Sequence, residues 1–267
     1  MVLQIAALYI LFHYNKFHEA VFSGVANELT GNIGGKYNNI TYYFHLKKTN
    51  DDLAKENEEL RNKLLSNYEQ PDSTQKIFQD SIPYDTLGHH RKYIWRSAKV
   101  VNNSVSLPNN TFTIARGENQ GIRKDMGVVS PTGVAGVVLN TSSNYAVVMS
   151  LLHRDSKISA SLKKTGETGQ VSWDGSSPLY ITLKNIPKSA QVVKGDSVVT
   201  SPYASHFPQG ILIGTVLEIV DDKTSSFYIL RLKPATNFFN VQYVTVVDNL
   251  LKDEQAKLEE ATNKINQ

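Results

Sequence analysis

The sequence predicts a mainly β protein in which an N-terminal membrane-anchor helix and a short coiled coil precede two small antiparallel β-barrel or sandwich modules. Three observations support this prediction. The first residues are almost wholly apolar, a charged stretch carries leucines seven residues apart, and short β-branched runs alternate with Gly, Pro, Asn and Asp from Tyr93 to Asp248. No helix-length amphipathic stretch interrupts the β-rich part, which indicates antiparallel pairing.

The composition excludes several chemistries. The length of 267 residues suggests about two folded units. The net charge of +3 is too balanced to indicate a nucleic acid or an acidic surface as partner. The absence of cysteine excludes disulfides, thiolate metal sites and cysteine nucleophiles. The seven histidines include no i,i+4 pair and no acidic residue at metal-ligand spacing, so we expect no metal ion, no other cofactor and no catalytic residue.

Residues 1–22 are predicted to be a truncated transmembrane anchor. The apolar run 1–12 ends at His13, and a helix of that length rises only ~18 Å, short of the ~30 Å hydrocarbon core. A signal peptide would begin with cationic residues, and a buried core helix would have amphipathic flanks. Neither feature is present, so we interpret the run as the distal end of a spanning helix whose first half precedes Met1.

Residues 23–69 are predicted to form a helix and a parallel dimeric coiled coil. Leu46, Leu53 and Leu60 are seven residues apart and occupy the d positions of a heptad. The residues that then fall at a are Tyr43, Asn50, Asn57 and Leu64. Leucine at d with Asn at a is typical of a parallel dimer, in which the buried Asn fixes the register. The alternative is a single surface helix that packs against its own domain.

Two segments are predicted to lie outside the folded modules. Residues 70–92 contain Pro71, Pro83 and Gly88, which break a helix, and they read as a linker. In the C-terminal stretch 249–267, Leu251, Leu258 and Ile265 are spaced by seven. This spacing is compatible with a short amphipathic helix, but we expect a polar tail that frays.

The β-rich part contains an internal repeat. Residues 124–131 and 133–138 are echoed by residues 194–202 and 210–216: in each copy a polar turn enters a Val-Val strand, and a glycine-bearing strand follows. This predicts two related modules, 93–152 and 153–248, between which strands could be exchanged. Both faces of the strand predicted at 211–220 are apolar, which suggests a central position or a tight barrel wall.

These repeated blocks resemble the rod shape-determining MreC family, and the resemblance covers roughly residues 1–248. Its most distinctive block is the run FPQGILIGTV at 207–216. The other matching blocks are 116–117, 121–122, 126–129, 133–138 and 194–201. The chain departs from the family pattern in lacking a cytoplasmic tail and a full-length anchor, and in carrying Ser201-Pro202-Tyr203 where many relatives have a glycine-rich loop.

The resemblance implies a location, a function and partners. It implies a single-pass protein of the bacterial inner membrane, with most of the chain on the extracytoplasmic side. There it would act as a non-enzymatic scaffold of the cell-elongation machinery and maintain rod shape by organising peptidoglycan synthesis enzymes. The implied partners are a second copy of the chain, MreD, the MreB system across the membrane, and a class B penicillin-binding transpeptidase.

A scaffold binds its partners through exposed apolar or aromatic residues, often on loops. The leading candidates lie in the insert of the second repeat: Tyr203, His206 and Phe207. The second choices are Trp173, Phe238 and Phe239. Because large apolar side chains are usually core residues, Phe207 could instead close the end of its own barrel, and the same alternative applies to the second choices.

Two other functional classes stay open. A periplasmic adaptor of the membrane-fusion type, from an efflux or secretion system, would carry a long helical hairpin flanked by lipoyl halves, whereas this predicted coil is single and precedes all the strands. An anchored chymotrypsin-like protease would use Gly195-Asp196-Ser197 as a nucleophile turn. However, Val198 and Val199 follow where glycines would shape the oxyanion hole, and the other repeat copy has no serine there.

Overall fold

The computed structural model describes residues 1, 3–5, 7, 9, 46–64, 67–69, 90–220 and 224–265. Contacts divide the chain into two units, Met1–Leu53 and Ala54–Gln267. The described residues 3–5, 7 and 9 are helical. In the part of the chain that the structure describes, no helix has the length and apolar character needed to cross a membrane. The rest of the predicted anchor and residues 70–89 of the predicted linker lie outside the described residues.

A helix, α1, covers residues 46–62. The segment is rich in Leu, Glu, Lys and Asn and contains neither Gly nor Pro, so local propensity favours a helix over this length. Tyr43, predicted to occupy the first a position, lies outside the described residues.

Two closed, six-stranded antiparallel barrels follow, in agreement with the two β-modules of the predicted fold class. A short pair precedes them, β1 (Tyr68–Glu69) and β2 (His90–Arg91). The strands of the first barrel are β3 (Tyr93–Asn103), β4 (Asn109–Ile114), β5 (Gly127–Val129), β6 (Val134–Thr141), β7 (Ala146–His153) and β14 (Tyr243–Asn249). The strands of the second barrel are β8 (Lys157–Leu162), β9 (Thr168–Ser172), β10 (Ile181–Pro187), β11 (Ser197–Thr200), β12 (Leu212–Val220) and β13 (Phe227–Pro234).

The second barrel is inserted into the first. The chain leaves the first barrel after β7, completes the second barrel, and returns as β14 to pair with both β3 and β5. The sequence places residues 243–248 in the second module but allows strands to be exchanged between the modules. In the structure, these residues close the first barrel. On β14, the side chains of Val244, Val246 and Val247 are buried. Burial of this apolar surface stabilises the return of the chain to the first barrel.

The internal repeat is visible in the backbone geometry. In the first barrel Val128 pairs with Gly136, and a β-bulge follows at Val129. In the second barrel Val198 pairs with Gly214, and a bulge follows at Val199. The turns that enter these strands also correspond, because Asp125 and Gly195 both adopt positive φ, at 67° and 91°. Each copy therefore uses a left-handed turn residue and a bulge to bend the same strand pair.

The tail that the sequence predicted to fray contains a helix, α2 (Lys252–Ile265). Its start is attached to the first barrel, because Leu250 N–H donates to the carbonyl of Lys92 over 2.9 Å and Lys252 Nζ donates to the carbonyl of Asp125 over 2.8 Å. Asp253 and Glu254 in the first turn complement the helix dipole. The spacing of seven left a short helix open as the alternative, and these long-range attachments, which the spacing could not show, hold its start.

Glycines allow the two barrels to approach closely. A methyl group at Gly127 would lie 2.3 Å from the carbonyl oxygen of His206 and 2.7 Å from the ring of Phe207. A methyl group at Gly133 would lie 2.4 Å from the carbonyl oxygen of Leu212. Both glycines belong to the first barrel, and both contacts come from the second, so the two barrels share one close-packed junction.

We predict that Gly127→Ala loosens this junction. The added methyl group has no room against the His206 backbone, and overpacking of this kind costs about 1–3 kcal/mol. The melting temperature should fall by about 2–4 °C for each kcal/mol lost. Amide hydrogen exchange should also accelerate in residues 203–209.

Gly136→Ala is the matched control. Its methyl group would meet the carbonyl oxygen of Met149 at 2.1 Å, within the first barrel. It should lower the melting temperature without selectively exposing residues 203–209. Equal exchange in that segment for Gly127→Ala and the wild-type chain would contradict the junction assignment.

Candidate interaction surfaces

The first surface is the leucine face of α1. The side chains of Leu46, Leu53, Leu60 and Leu64 are each between 44% and 55% exposed. Asn57 is exposed and Asn50 is half-buried. The spacing of seven places Leu46, Leu53 and Leu60, the predicted d positions, along one side of α1, and Leu64, at the last predicted a position, follows the end of the helix. Among the residues that the structure describes, these leucines form an exposed apolar stripe.

A different side of α1 is bonded to the first barrel. The backbone of Trp95 on β3 donates to Asn62 Oδ1 and accepts from Asn62 Nδ2, both over 2.9 Å. The backbone N–H and the hydroxyl of Ser97 both donate to Glu58 Oε2 over 2.8 Å. Since β4 pairs only with Val100 and later residues of β3, these two side chains satisfy a strand edge that has no strand partner there.

An aromatic cluster completes the attachment of α1. The indole N–H of Trp95 donates to Asn67 Oδ1 over 2.7 Å, and the guanidinium of Arg61 lies 5.0 Å from the centre of the Trp95 ring. The amide of Asn67 donates in turn to the carbonyl of Arg61. Burial lowers the pKa of Arg61 below its ordinary value. The end of α1 is thus fixed by a buried tryptophan whose polar group is satisfied.

The insert at 203–209 serves the junction between the barrels. Phe207 is 1% exposed, and its ring packs over Gly127 of the first barrel. His206 Nδ1 lies 2.8 Å from the carbonyl oxygen of Asp125 and donates to it. Asn249 Nδ2 donates to the carbonyl of Ser205 over 3.0 Å. Phe207 is therefore a core residue, and His206 joins the barrels to each other.

The His206 contact lies in a charged setting. Burial lowers the pKa of His206, the bond to the Asp125 carbonyl acts to raise it, and Lys252 is a further lowering influence. Burial also lowers the pKa of Lys252. The carboxylate of Asp248 nearby is paired with Arg123 at 3.0 Å and with Arg96 at 3.3 Å. The surroundings thus favour the neutral form of the imidazole.

The remaining candidates separate into exposed and buried residues. Tyr203 is 77% exposed and Phe239 is 60% exposed, so both are available to a partner. Trp173 and Phe238 are buried. The indole N–H of Trp173 donates to the carbonyl of Ser177 over 2.7 Å, and Asn103 Nδ2 donates to the carbonyl of Phe238 over 2.7 Å. These two aromatic residues are core residues, as the alternative interpretation held.

Sequence reasoning missed an apolar surface on the outside of the second barrel. Leu217 and Val220 on β12 and Phe227 on β13 are exposed, and Val220 pairs directly with half-buried Ile229. We call these three exposed residues the β12–β13 patch. In the sequence both faces of this strand read as apolar, which favours a central position or a tight barrel wall. The burial of Ile213 and Val216 accounts for only part of that apolar character.

The serine that resembled a nucleophile belongs to a turn. Gly195 has a φ of 91°, and Val193 N–H donates to Asp196 Oδ2 over 2.8 Å. Ser197 then begins β11 and pairs with Thr215. The arrangement matches the turn that enters β5 in the other repeat copy. Forming this turn and starting the strand therefore accounts for Gly195-Asp196-Ser197.

The stability of the junction should depend on pH through His206. Its pKa in the folded chain lies below the ordinary value of 6.5, so below about pH 6.5 the unfolded chain binds a proton that the folded chain does not. Stability should therefore fall as the pH drops through this window. We expect a larger loss of melting temperature between about pH 7.5 and 5.5 for the wild-type chain than for His206→Gln. Equal losses in the two proteins would contradict the assignment.

Comparison with known proteins identifies the fold and the family. The family described as rod shape-determining protein MreC, barrel core, matches residues 100–248, which is more than half of the chain. The cell shape-determining protein MreC of Listeria monocytogenes is 28% identical over 238 residues, covering 86% of this chain and 77% of that protein. The corresponding protein of Bacillus subtilis is 27% identical over 208 residues, covering 73% and 72%.

A solved structure agrees with the sequence relatives. The structure of MreC from Listeria monocytogenes superposes with a TM-score of 0.54 at 27% identity, covering 79% of this chain and 92% of that one. The family match spans both barrels, from the second half of β3 to β14. The chain therefore belongs to the MreC family of rod shape-determining proteins.

Proposed function

We propose that the chain is a non-enzymatic, membrane-anchored scaffold of the bacterial cell-elongation machinery, which maintains rod shape by organising peptidoglycan synthesis enzymes. The observation that carries the proposal is the two-sided character of α1. One side presents an apolar stripe, and another is hydrogen-bonded to the first barrel through Glu58 and Asn62. A helix of this kind can pair with a second copy while it holds the barrels at a fixed attachment.

Dimerisation through α1 is part of this proposal. Burying apolar surface stabilises association by about 25 cal/mol for each Å² removed from water, and the leucine stripe offers such surface at regular spacing. The residues bonded to the barrel, Glu58 and Asn62, occupy the b and f positions of the heptad that places Leu53 and Leu60 at d. The a/d seam is therefore compatible with a partner helix while the barrel stays attached.

Family membership supports the proposed location and membrane partners. The chain would be held by a single spanning helix in the inner membrane, with both barrels on the extracytoplasmic side. It would act together with MreD and, across the membrane, with the MreB system. The apolar run at residues 1–12 supports an anchor at this end of the chain.

We further propose that a class B penicillin-binding transpeptidase docks on the β12–β13 patch. Exposed aliphatic and aromatic side chains on a rigid sheet are typical of a protein interface. A complex of PBP2 with MreC from Helicobacter pylori has been solved, but at a TM-score of 0.48 that likeness is too low to place its interface on this chain. The proposal rests on family membership and on the exposure of the patch.

The structure gives less support to the two other functional classes. A protease would need Ser197 as a nucleophile, but this residue begins β11 after a turn, and the equivalent turn and strand of the first repeat copy carry Gly127 in its place. A membrane-fusion adaptor would need a helical hairpin between two half-domains. Here, the second barrel is inserted directly between β7 and β14.

The dimer is tested with the double substitution Leu53→Asp/Leu60→Asp in a soluble fragment that begins at residue 41. Two charges in the apolar seam should abolish pairing, and the mass measured by light scattering should fall to about half. Lys55→Asp, at the exposed f position, introduces the same residue outside the seam and should leave the mass unchanged. A monomeric wild-type fragment, or a dimeric double variant, would contradict this part of the proposal.

The docking surface is tested with the triple substitution Leu217→Ser/Val220→Ser/Phe227→Ser. Because the three side chains are exposed, the fold should survive, while capture of the transpeptidase from solubilised envelope should weaken by at least about tenfold. Tyr203→Ser is the matched control in the insert. If Tyr203→Ser loses capture and the triple variant does not, the result would contradict docking on the patch and would place the contact on the insert at 203–209.

The cellular role is tested by depletion of the protein. Rod-shaped cells should become spherical when the scaffold is removed, and re-expression of the wild-type chain should restore rods. The Leu53→Asp/Leu60→Asp variant should restore them poorly. Retained rod shape after complete depletion would count against the elongation function as a whole.

A further inference from the structure

An uncharged groove lies beside the connection that returns from the second barrel to the first. It has a volume of about 340 Å³, and none of its nine lining residues carries a charge. Its walls are the β5–β6 turn with Pro131 and Thr132, the segment with Asn237 and Asn240, and the start of β14 with Gln242 and Tyr243. The lining thus combines amides, hydroxyls, a proline and an aromatic ring.

The walls of the groove are held in place by hydrogen bonds beneath its surface. Ser130 Oγ lies 2.8 Å from Thr236 Oγ1, and the Thr236 hydroxyl donates to the carbonyl of Val134 over 2.8 Å. Asn237 Oδ1 accepts from Phe239 N–H and thereby caps a short 3₁₀ turn, Phe238–Asn240. A ligand would therefore meet a site that is already formed, which lowers the entropic cost of binding.

The amides of the groove keep hydrogen-bonding capacity for a ligand. Gln242 Nε2 donates to Asn240 Oδ1 over 3.1 Å, so the two amides orient each other. Together with the cap at Asn237, the bonds among the described residues use the Oδ1 of both asparagines and one N–H of Gln242. Within the part of the chain that the structure describes, the Nδ2 groups of Asn237 and Asn240 and the Oε1 of Gln242 remain for a ligand. The groove thus offers two donors and one acceptor beside the ring of Tyr243.

We infer that this groove binds an oligosaccharide of N-acetylated amino sugars. An acetamido group presents one carbonyl acceptor and one N–H donor, and the asparagine Nδ2 groups and the glutamine Oε1 complement both. The sugar ring offers an apolar face to Tyr243 and Pro131, while its hydroxyls reach Thr132. Because the lining is uncharged, it does not select an anionic or cationic ligand.

A charged cleft elsewhere in the chain differs from this groove in volume and in charge. The cleft between the barrels that contains Arg123, His206, Asp248 and Lys252 measures about 40 Å³, and its charged groups are largely bonded to the protein. The uncharged groove is larger, and at Pro131 and Tyr243 it adjoins a second depression of about 90 Å³. The site therefore has room for more than one sugar unit. It requires neither the dimer nor the transpeptidase contact and goes beyond the proposed function.

The inference is tested by titrating the full chain with chitotetraose, the tetramer of N-acetylglucosamine, and measuring affinity by isothermal calorimetry. Cellotetraose has the same backbone without the acetamido groups and should bind at least about tenfold more weakly. The double variant Asn240→Ala/Gln242→Ala should lose at least about tenfold in affinity for chitotetraose. Both side chains are exposed, so its melting temperature should stay close to that of the wild-type chain.

The matched control is a second exposed amide pair, Asn119 and Asn144, whose side chains lie 3.4 Å apart and do not line the groove. Asn119→Ala/Asn144→Ala should bind chitotetraose as the wild-type chain does. Three outcomes would overturn the inference: no binding of chitotetraose, equal binding of the two tetrasaccharides, or equal affinity in the two double variants. None of these measurements involves the transpeptidase. A negative result would therefore overturn the inferred sugar binding without contradicting the scaffold proposal.

Discussion

Closure of the first barrel by β14 is the constraint on which the rest of the structure depends. A six-stranded barrel has no free edge only when its sixth strand is present, and here that strand is separated from the other five by the whole second barrel. The return of the chain brings the β13–β14 connection against the β5–β6 turn and forms the uncharged groove. It also places the start of α2 beside Asp125. The junction glycines, the groove and the C-terminal helix are thus consequences of a single long-range pairing.

The attachment of α1 solves a second edge problem in the same barrel. Trp95 and Ser97 are two residues apart on β3 and expose N–H groups along the same edge, while Asn62 and Glu58 are four residues apart on α1. Four helical residues rise ~6 Å and two strand residues span ~6.6 Å, so the two spacings nearly match. Polar side chains at i and i+4 of a helix can therefore form the backbone hydrogen bonds that a neighbouring strand would otherwise form. In the described unit this leaves the leucine side of the helix available.

The sequence predicted the fold well where the signal was local. Alternation and turn residues located the barrel strands, and the repeat predicted two related modules whose bulges at Val129 and Val199 coincide. It could not assign β14 to a barrel, because a buried Val-rich strand reads the same in either one. The sequence left Phe207 undecided between a partner contact and a core position, and the close approach of Gly127 decides that it is buried. The apolar character of both faces of β12 was legible in the sequence and favoured a central position or a tight barrel wall, but it did not reveal that Leu217 and Val220 are exposed.

The nested order of the barrels has a mechanical consequence. Two covalent connections, β7 to β8 and β13 to β14, join the second barrel to the first, and both the segment toward α1 and the segment toward α2 leave from the first barrel. Tension between a tethered N-terminus and a body that grips the second barrel would be divided between two peptide chains acting in parallel. Such a linkage resists extension better than tandem domains joined by one linker.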